Sequence, residues 1–411
     1  MSYVTGLKCK ECGKEYKPEV RSACDECFGP VEVTYDLDAI ARQVQRGRID
    51  QRRKTLWRYS EFLPIENERN VIDIHAGYTP LKRCDNLAKA LGLRPGHLYV
   101  KDDSTNPTGS FKDRPTSVAI SKAKEWSMSA VGCASTGNLA GATAAVAARA
   151  GLPRYVFIPQ GLDKGKVATA QLYGAKVIAI DGTYDEVNRI ANLVADKKKW
   201  GLVNINIRPY YVEGSKTITF ETVEQLFWKA PDRIIIPLGS GALLASANKA
   251  LRELEGCGWI QQADTKICGT QPDGCAPIAH AAMKGTEDIK PVEKPNTIAD
   301  SLAIGDPASG LESLRVIKKT GGWGDAPSDH EIVDAQLLLA KTEGMFSEPA
   351  GGCVIASLKR KIAAGQVGRD EIVVAYITGS GLKALKSVEP KLAAVANVPN
   401  DFAKIEAVLA A

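Results

Sequence analysis

Short, largely apolar runs recur along the chain from about residue 70 onward. They are His97-Leu98-Tyr99-Val100, Tyr155-Val156-Phe157-Ile158, Val177-Ile178-Ala179-Ile180, Arg233-Ile234-Ile235-Ile236, Lys266-Ile267-Cys268 and Ile372-Val373-Val374-Ala375-Tyr376-Ile377. They are rich in β-branched residues and do not alternate with polar ones, which predicts strands buried on both faces of a parallel sheet. Helical stretches lie between them. One is Ala-rich, from Asn138 to Ala150. Another follows Thr183, where Thr183 and Glu186 predict a capping box ahead of Val187, Ile190, Leu193 and Val194. Strands alternating with helices over about 300 residues predict an α/β architecture. No internal repeat, low-complexity tract or coiled coil interrupts the pattern.

Before residue 70 the pattern differs. Asp38 to Arg46 reads as a short helix with Leu37, Ile40 and Val44 on one face, stopped by Gly47. The Arg/Lys/Gln-rich stretch at 45–54 reads as a solvated connector. The first ~35 residues carry Cys9, Cys12, Cys24 and Cys27, two C-x2-C pairs separated by eleven residues. Two such pairs on facing turns place four thiolates in a tetrahedron, the donor set of a structural zinc; the competing reading is a knuckle of reduced thiols. Gly13 permits the tight turn after the first pair. Four thiolates leave no open coordination position, so the module is structural either way.

Composition narrows the class. Of 411 residues, 44% are hydrophobic and 25% charged, the balance of an ordinary globular protein. No apolar run reaches the ~20 residues that span a bilayer, so no membrane partner is expected. The N-terminal MSYVTGLKCKECGKEY lacks a signal core, which predicts a cytoplasmic protein. The net charge of +5 is small and dispersed, so no nucleic-acid partner is expected. The remaining six cysteines sit mostly among apolar neighbours and read as small core residues. His75, His97, His280 and His330 show no ligand spacing.

In open α/β sheets, ligands sit beyond the carboxyl ends of strands, beside helix N-termini. Four strand-to-helix turns carry chemistry. Lys101–Arg114 is an irregular loop in which Ser110 reads as a helix N-cap and Lys112 falls in the first helical turn. The helix dipole disfavours a charged lysine there and favours a nucleophilic amine; an exposed lysine beside Asp113 is the alternative. Cys133-Ala134-Ser135-Thr136-Gly137-Asn138 offers hydroxyls and backbone N–H groups to an anion, or plain N-capping. Pro237 to Leu243 places Gly239, Ser240, Gly241, Ala242 and Leu243 after a buried strand, as a phosphate cradle without a P-loop lysine. Thr378-Gly379-Ser380-Gly381-Leu382-Lys383 is a fourth small, hydroxyl-rich turn.

Pyridoxal 5'-phosphate accounts for all four turns together, because it needs a lysine, an anion cradle and partners for its ring substituents. Asn106-Pro107-Thr108-Gly109-Ser110-Phe111-Lys112-Asp113-Arg114 resembles the motif of the fold type II pyridoxal-phosphate family, and within it the threonine synthases. Gly77-Tyr78-Thr79-Pro80-Leu81, Ala134–Asn138, Glu213-Gly214-Ser215-Lys216-Thr217, Glu348-Pro349-Ala350-Gly351-Gly352 and Thr378-Gly379 extend the likeness over residues 5 to 390.

The resemblance implies a tryptophan synthase β-like fold: two open twisted α/β sheet domains with the cofactor in the cleft, plus the zinc-ribbon-like module. It implies domains at 1–36 (the module), 37–115 and 211–390 (the large domain), and 116–210 (a small mobile domain), with a C-terminal helical tail at 391–411. Lys112 matches the cofactor-bearing lysine and general base, and Phe111 packs beside the cofactor. Asn138 matches the partner of the ring hydroxyl, Gly239–Leu243 the phosphate loop, and Thr378 the hydroxyl near the ring nitrogen. Ser110, Ser135 and Thr136 are assigned to substrate, the last two to its carboxylate.

The activity implied is that of a lyase in threonine biosynthesis. It takes a small phosphorylated amino acid, O-phospho-L-homoserine, removes phosphate from the γ carbon and adds water at the β carbon. A homodimer is the implied assembly. Threonine synthases commonly read Asn-Pro-x-Arg-x-Glu-Gly before the Lys-Thr pair, with the arginine on the leaving phosphate. Here Tyr211 stands at that position and Arg208 lies three residues earlier. Arg208 is the expected grip on the leaving phosphate, with Asn206 and Lys216 as further candidates; a surface ion pair of Lys216 with Glu213 is the plainer alternative. Sibling activities of the same fold, a threonine or serine dehydratase or a phosphoserine-using synthase, and a catalytically silent metabolite-binding homologue are the competing readings.

Overall fold

Each of the six apolar runs forms a strand. The computed structural model describes residues 2–162 and 165–409. Its strands in chain order are β1 (Val4–Cys9), β2 (Glu15–Tyr16), β3 (Val31–Tyr35), β4 (Leu81–Arg83), β5 (Leu98–Asp102), β6 (Val131–Ala134) and β7 (Arg154–Pro159). There follow β8 (Lys176–Ile180), β9 (Gly201–Leu202), β10 (Arg233–Pro237), β11 (Lys266–Thr270), β12 (Gly324–Asp325) and β13 (Val373–Ile377). Among the described residues they make three sheets: β2-β1-β3, β12-β11-β10-β13-β5-β4, and β8-β7-β6-β9. The two larger sheets are parallel except for β4, which runs antiparallel to β5 at an edge.

The continuous apolar character of the central strands follows from packing on both sides. In β10, Ile234 and Ile236 join one core with Ile267, Val374 and Tyr376. Ile235, between them, joins another with Leu98, Val100, Cys268, Val373 and Ala375. Each fully buried Ile, Val or Leu side chain among them contributes about 1.5–3 kcal/mol. β8 departs from the expectation: it is an edge strand, and its residues are exposed or half-buried.

The helices include α1 (Leu37–Gln43), α2 (Asp113–Glu125), α3 (Gly137–Ala150), α4 (Tyr184–Lys198), α5 (Arg208–Ser215), α6 (Thr217–Gln225), α7 (Ala242–Gly256), α8 (Gly310–Lys319), α9 (Pro349–Ala363) and α10 (Phe402–Leu409). α4 starts in the expected capping box, with the Thr183 hydroxyl accepting from the Glu186 N–H and the Glu186 carboxylate from the Thr183 N–H. α1 ends at Gln43, and 46–51 is a 3-10 turn that buries Ile49. The connector is therefore partly packed, because the buried Arg58 guanidinium needs the Ile49 carbonyl. The tail is exposed, and helical only over α10 among the described residues; 410–411 lie outside them. Among the described residues no helix is long and apolar enough to cross a membrane.

The N-terminal sheet docks by polar contacts. Tyr35 Oη donates to Glu213 Oε2 at 2.7 Å, Lys10 reaches Glu312 at 2.7 Å, Arg315 reaches Glu11 at 3.0 Å, and Tyr210 Oη donates to the Glu19 carbonyl at 2.9 Å. Leu7, Val31 and Val33 add an apolar face to the core that holds α2 and α3.

Candidate active site

The loop before Lys112 is fixed by a short antiparallel pairing. Phe111 N–H donates to the Thr378 carbonyl at 2.9 Å, Ser380 N–H to the Gly109 carbonyl at 3.0 Å, and Ser110 bridges Gly379. Residues 270 positions apart in the sequence are thus brought together at the carboxyl end of β13. Beneath them Arg114 binds Asp103 and Glu221 in a buried network that also takes Lys101, whose Nζ is 2.8 Å from Glu221. Burial works against charge on Glu221, but Arg114 and Lys101 outweigh it and bring its pKa to about 2.

Helix α2 begins at Asp113, so Lys112 occupies the cap position rather than the first turn. Ser110 is therefore not the N-cap: it lies two residues before that position, and its Oγ accepts from the Lys112 N–H at 3.2 Å. Asp113 is buried and accepts from both the N–H and the hydroxyl of Thr108 at 2.7 Å; burial raises its pKa to about 6. The Lys112 ammonium takes no hydrogen bond or ion pair among the described residues. It lies 5.4 Å from the ring centre of Phe111 and 5.9 Å from that of Tyr211. Both rings are buried.

Four further features belong to the same candidate site. The N-terminus of α3 follows Ser135 and Thr136, both half-buried, and takes no side-chain cap. The N-terminus of α7 follows Gly239-Ser240-Gly241 and is likewise uncapped. Uncapped N–H groups at a helix start are an anion site. Gly241 is left-handed at φ 86°, and a Cβ there would collide with Ser313 Oγ, so only glycine holds this cradle. Asn138, in the first turn of α3, donates through Nδ2 to Glu348 Oε1 at 2.6 Å and accepts at Oδ1 from Lys383 Nζ at 2.9 Å. Thr378 is half-buried and its hydroxyl has no partner among the described residues. A lysine without a partner, two anion cradles, an amide and a free hydroxyl match the groups of pyridoxal phosphate in kind.

The segment 204–216 divides into roles that sequence spacing did not separate. Asn206 is not in the cleft: its amide accepts from Leu202 N–H at 2.8 Å and donates to the Trp200 carbonyl at 2.9 Å, closing the turn after β9. Lys216 is not there either. It is fully buried, 2.6 Å from Glu213 and 2.8 Å from Glu253, with its ammonium over the Tyr35 ring. Its pairing with Glu213 is as the plainer reading had it, but in the interior rather than on the surface. Arg208 reaches Ser309, at the start of α8. Its Nη2 donates to Ser309 Oγ at 2.9 Å, and burial lowers its pKa. No carboxylate among the described residues lies within ion-pair distance of it. Ser309 N–H in turn donates to the Ser240 carbonyl at 2.9 Å, so Arg208 is a neighbour of the phosphate loop, not remote from it.

Glu348, Lys383 and Ser309 were not singled out as site residues. Glu348 lies inside a motif that carries the resemblance, Lys383 ends the fourth small, hydroxyl-rich turn, and Ser309 precedes Gly310 at the start of α8, a fifth turn of small residues. That recurring turn is the signal that finds it.

The four sulfurs of Cys9, Cys12, Cys24 and Cys27 lie within 4.8 Å of one another, with Cys9–Cys27 at 3.4 Å and Cys12–Cys24 at 3.6 Å. A tetrahedron with Zn–S of about 2.3 Å has sulfur–sulfur edges of about 3.8 Å, so the group fits one zinc. Replacing the buried Cys24 with serine is expected to empty the site and lower the melting temperature while the cofactor's visible absorbance stays. Metal analysis with a thermal melt checks this; a full metal complement in Cys24→Ser removes the assignment.

Comparison with known proteins follows the same lines. The family model "Pyridoxal-phosphate dependent enzyme" matches residues 72–379. The chain is 42% identical over 378 residues to the threonine synthase of Methanocaldococcus jannaschii, covering 92% of each. It is 40% identical to that of Methanosarcina acetivorans, covering 93% of each, and 37% identical to that of Mycobacterium tuberculosis, covering 84% of this chain and 92% of the relative. Among solved structures, Escherichia coli diaminopropionate ammonia lyase matches with a TM-score of 0.64 at 20% identity, covering 82% of this chain and 97% of that one. Maize serine racemase matches with a TM-score of 0.61 at 24% identity, covering 76% and 92%. At that identity the two structures speak for the fold.

Proposed function

Since the chain belongs to the threonine synthases of the pyridoxal-phosphate-dependent enzyme family, we propose that the cleft around Lys112 is where O-phospho-L-homoserine and water become L-threonine and phosphate. The observation that carries the reading is the Lys112 ammonium, free of partners among the described residues and close to the buried Phe111 and Tyr211 rings, in a chain whose α3 and α7 starts are both uncapped. Bound pyridoxal phosphate supplies the electron sink that makes the substrate's carbon-bound protons acidic.

Lys112 holds the cofactor and, once displaced by the substrate amine, takes and returns the α proton. The Gly239–Leu243 backbone receives the cofactor phosphate, Asn138 its ring hydroxyl and Thr378 its ring nitrogen. A neutral hydroxyl at that nitrogen cannot hold it protonated as a carboxylate would, which suits elimination and replacement chemistry. Ser135 and Thr136 line the carboxylate end of the substrate, Ser110 is a further substrate contact, and Arg208 meets its phosphate.

Residues 116–210 are proposed to close as a unit on the rest. Supporting this, β8-β7-β6-β9 draws strands only from 131–202, while the six-stranded sheet takes strands from either side of that stretch. A cytoplasmic homodimer belongs to the same reading; the cysteines are unbridged, as a reducing compartment requires, and sedimentation at several concentrations tests the dimer.

Phosphate release should be measured with phosphohomoserine and with phosphoserine, beside deamination of threonine. Release from phosphohomoserine alone, with threonine formed in equal amount, is the expected result. Preference for phosphoserine, or deamination of threonine as the fastest reaction, would assign the chain to a sibling activity.

A further inference from the structure

The two ends of an Asn side chain have nearly the same shape, so packing alone does not decide which way the amide faces. At Asn138 two charged side chains decide it. Lys383 Nζ, which can only donate, sits 2.9 Å from Oδ1. Glu348 lies on the other side, its oxygens 2.6 and 3.1 Å from Nδ2. A flipped amide would set N–H against ammonium and oxygen against carboxylate.

Both charged groups are themselves held in place. Glu348 caps α9 and is almost fully buried, and its own N–H donates to the Gly379 carbonyl at 3.0 Å. No cation among the described residues lies within ion-pair distance of it; burial raises its pKa, and the Asn138 amide with the Lys383 and Lys112 charges opposes that rise. A Cβ at Gly379 would overlap the Glu348 carboxylate, so the glycine is what admits it. The Lys383 stem runs past Gly109, where a Cβ would lie 3.2 Å from Cε. Each charge thus rests on one strand of the pairing that fixes the Lys112 loop.

We propose that Lys383 and Glu348 are positioning residues that lock the Asn138 amide with its NH2 group toward the cofactor's ring oxygen. This rests on the assignment of Asn138 to that oxygen. Of the two amide hydrogens, Glu348 keeps one and the cofactor takes the other, while Lys383 excludes the reverse orientation. The lock bears on the cofactor's electronic state, since a hydrogen bond to the ring oxygen sets the proton distribution that its visible absorption reports.

The test compares holoenzyme spectra, their pH titrations and steady-state kinetics for Asn138→Ala, Lys383→Met, Lys383→Arg and Lys383→Met combined with Asn138→Ala. Losing one neutral hydrogen bond corresponds to roughly fivefold in kcat. Lys383→Met is expected to move the ratio of the absorption bands in the direction of Asn138→Ala and to lower kcat by a similar factor, with KM little changed. Lys383→Arg should restore both, and Lys383→Met should add nothing once Asn138 is alanine. A wild-type spectrum in Lys383→Met beside a changed one in Asn138→Ala overturns the lock while leaving Asn138 on the cofactor. Additive effects in the double variant overturn it as well, by giving Lys383 a contact of its own. An unchanged spectrum in Asn138→Ala removes the underlying assignment, and the lock with it.

Discussion

Replacing Lys112 with alanine is expected to abolish the covalent link to the cofactor and lower turnover by about 100- to 10,000-fold, the range for loss of a general acid–base group, or further because attachment is lost too. The structure gives the reason by elimination among neighbouring lysines. Lys101 is fully buried and committed to Glu221, the Thr79 carbonyl and Gln225. Lys216 is equally buried between Glu213 and Glu253. Lys383 is engaged with Asn138. An amine can attack an aldehyde only with its lone pair free, and a buried ammonium held by two carboxylates pays heavily to lose its proton. Lys112 alone of the four has no carboxylate or carbonyl to hold it. Borohydride reduction of the wild-type holoenzyme should therefore fix the cofactor to one peptide, that containing Lys112, and in Lys112→Ala to none. A reducible link that persists in the variant would transfer the role to another lysine.

The strands and the catalytic turns were legible because their signals are local. Ile234-Ile235-Ile236 needs no partner to read as a two-faced strand, and a lysine behind a hydroxyl-rich loop reads as chemistry before any contact is known. The pocket for the leaving phosphate was less legible, since it is built from long-range contacts. Asn206 and Lys216 have the right residue types and lie near the right motif. Local geometry sends the first into the turn after β9, and the Tyr35–Glu213 docking of the N-terminal sheet draws the second into the interior. Nothing within thirty residues of Arg208 announces Ser309, about a hundred positions away, as its partner. The Glu348–Asn138–Lys383 arrangement was half legible: the motifs were visible, but which of their side chains touch depends on how the turns fold back on one another. β4, β9 and β12 have two or three residues each, too few for periodicity to register.

Arg208→Ala is the variant that separates the two phosphates. A half-buried guanidinium with no carboxylate in reach is costly unless an anion arrives, and desolvation already lowers its pKa. Two anions are candidates. The Ser309 link to Ser240 brings Arg208 close to the cofactor's cradle, while Tyr211, one turn along α5, faces Lys112 and so points the same helix surface at the reacting carbons. The cofactor phosphate has a helix start and a glycine-shaped backbone cradle of its own at Gly239–Leu243. The leaving phosphate has no other cation assigned to it, now that Lys216 is excluded, and Tyr211 offers only a neutral hydrogen bond. A charged hydrogen bond contributes about 1.5–3 kcal/mol, so Arg208→Ala should lower kcat/KM for phosphohomoserine by roughly 10- to 100-fold. The affinity for pyridoxal phosphate, read by titrating the apoprotein, should change far less. Tyr211→Phe should cost less than Arg208→Ala. The opposite pattern, weakened cofactor binding with kcat/KM intact at saturating cofactor, would place Arg208 on the cofactor's phosphate and leave the substrate's phosphate to be held by backbone and hydroxyl groups alone.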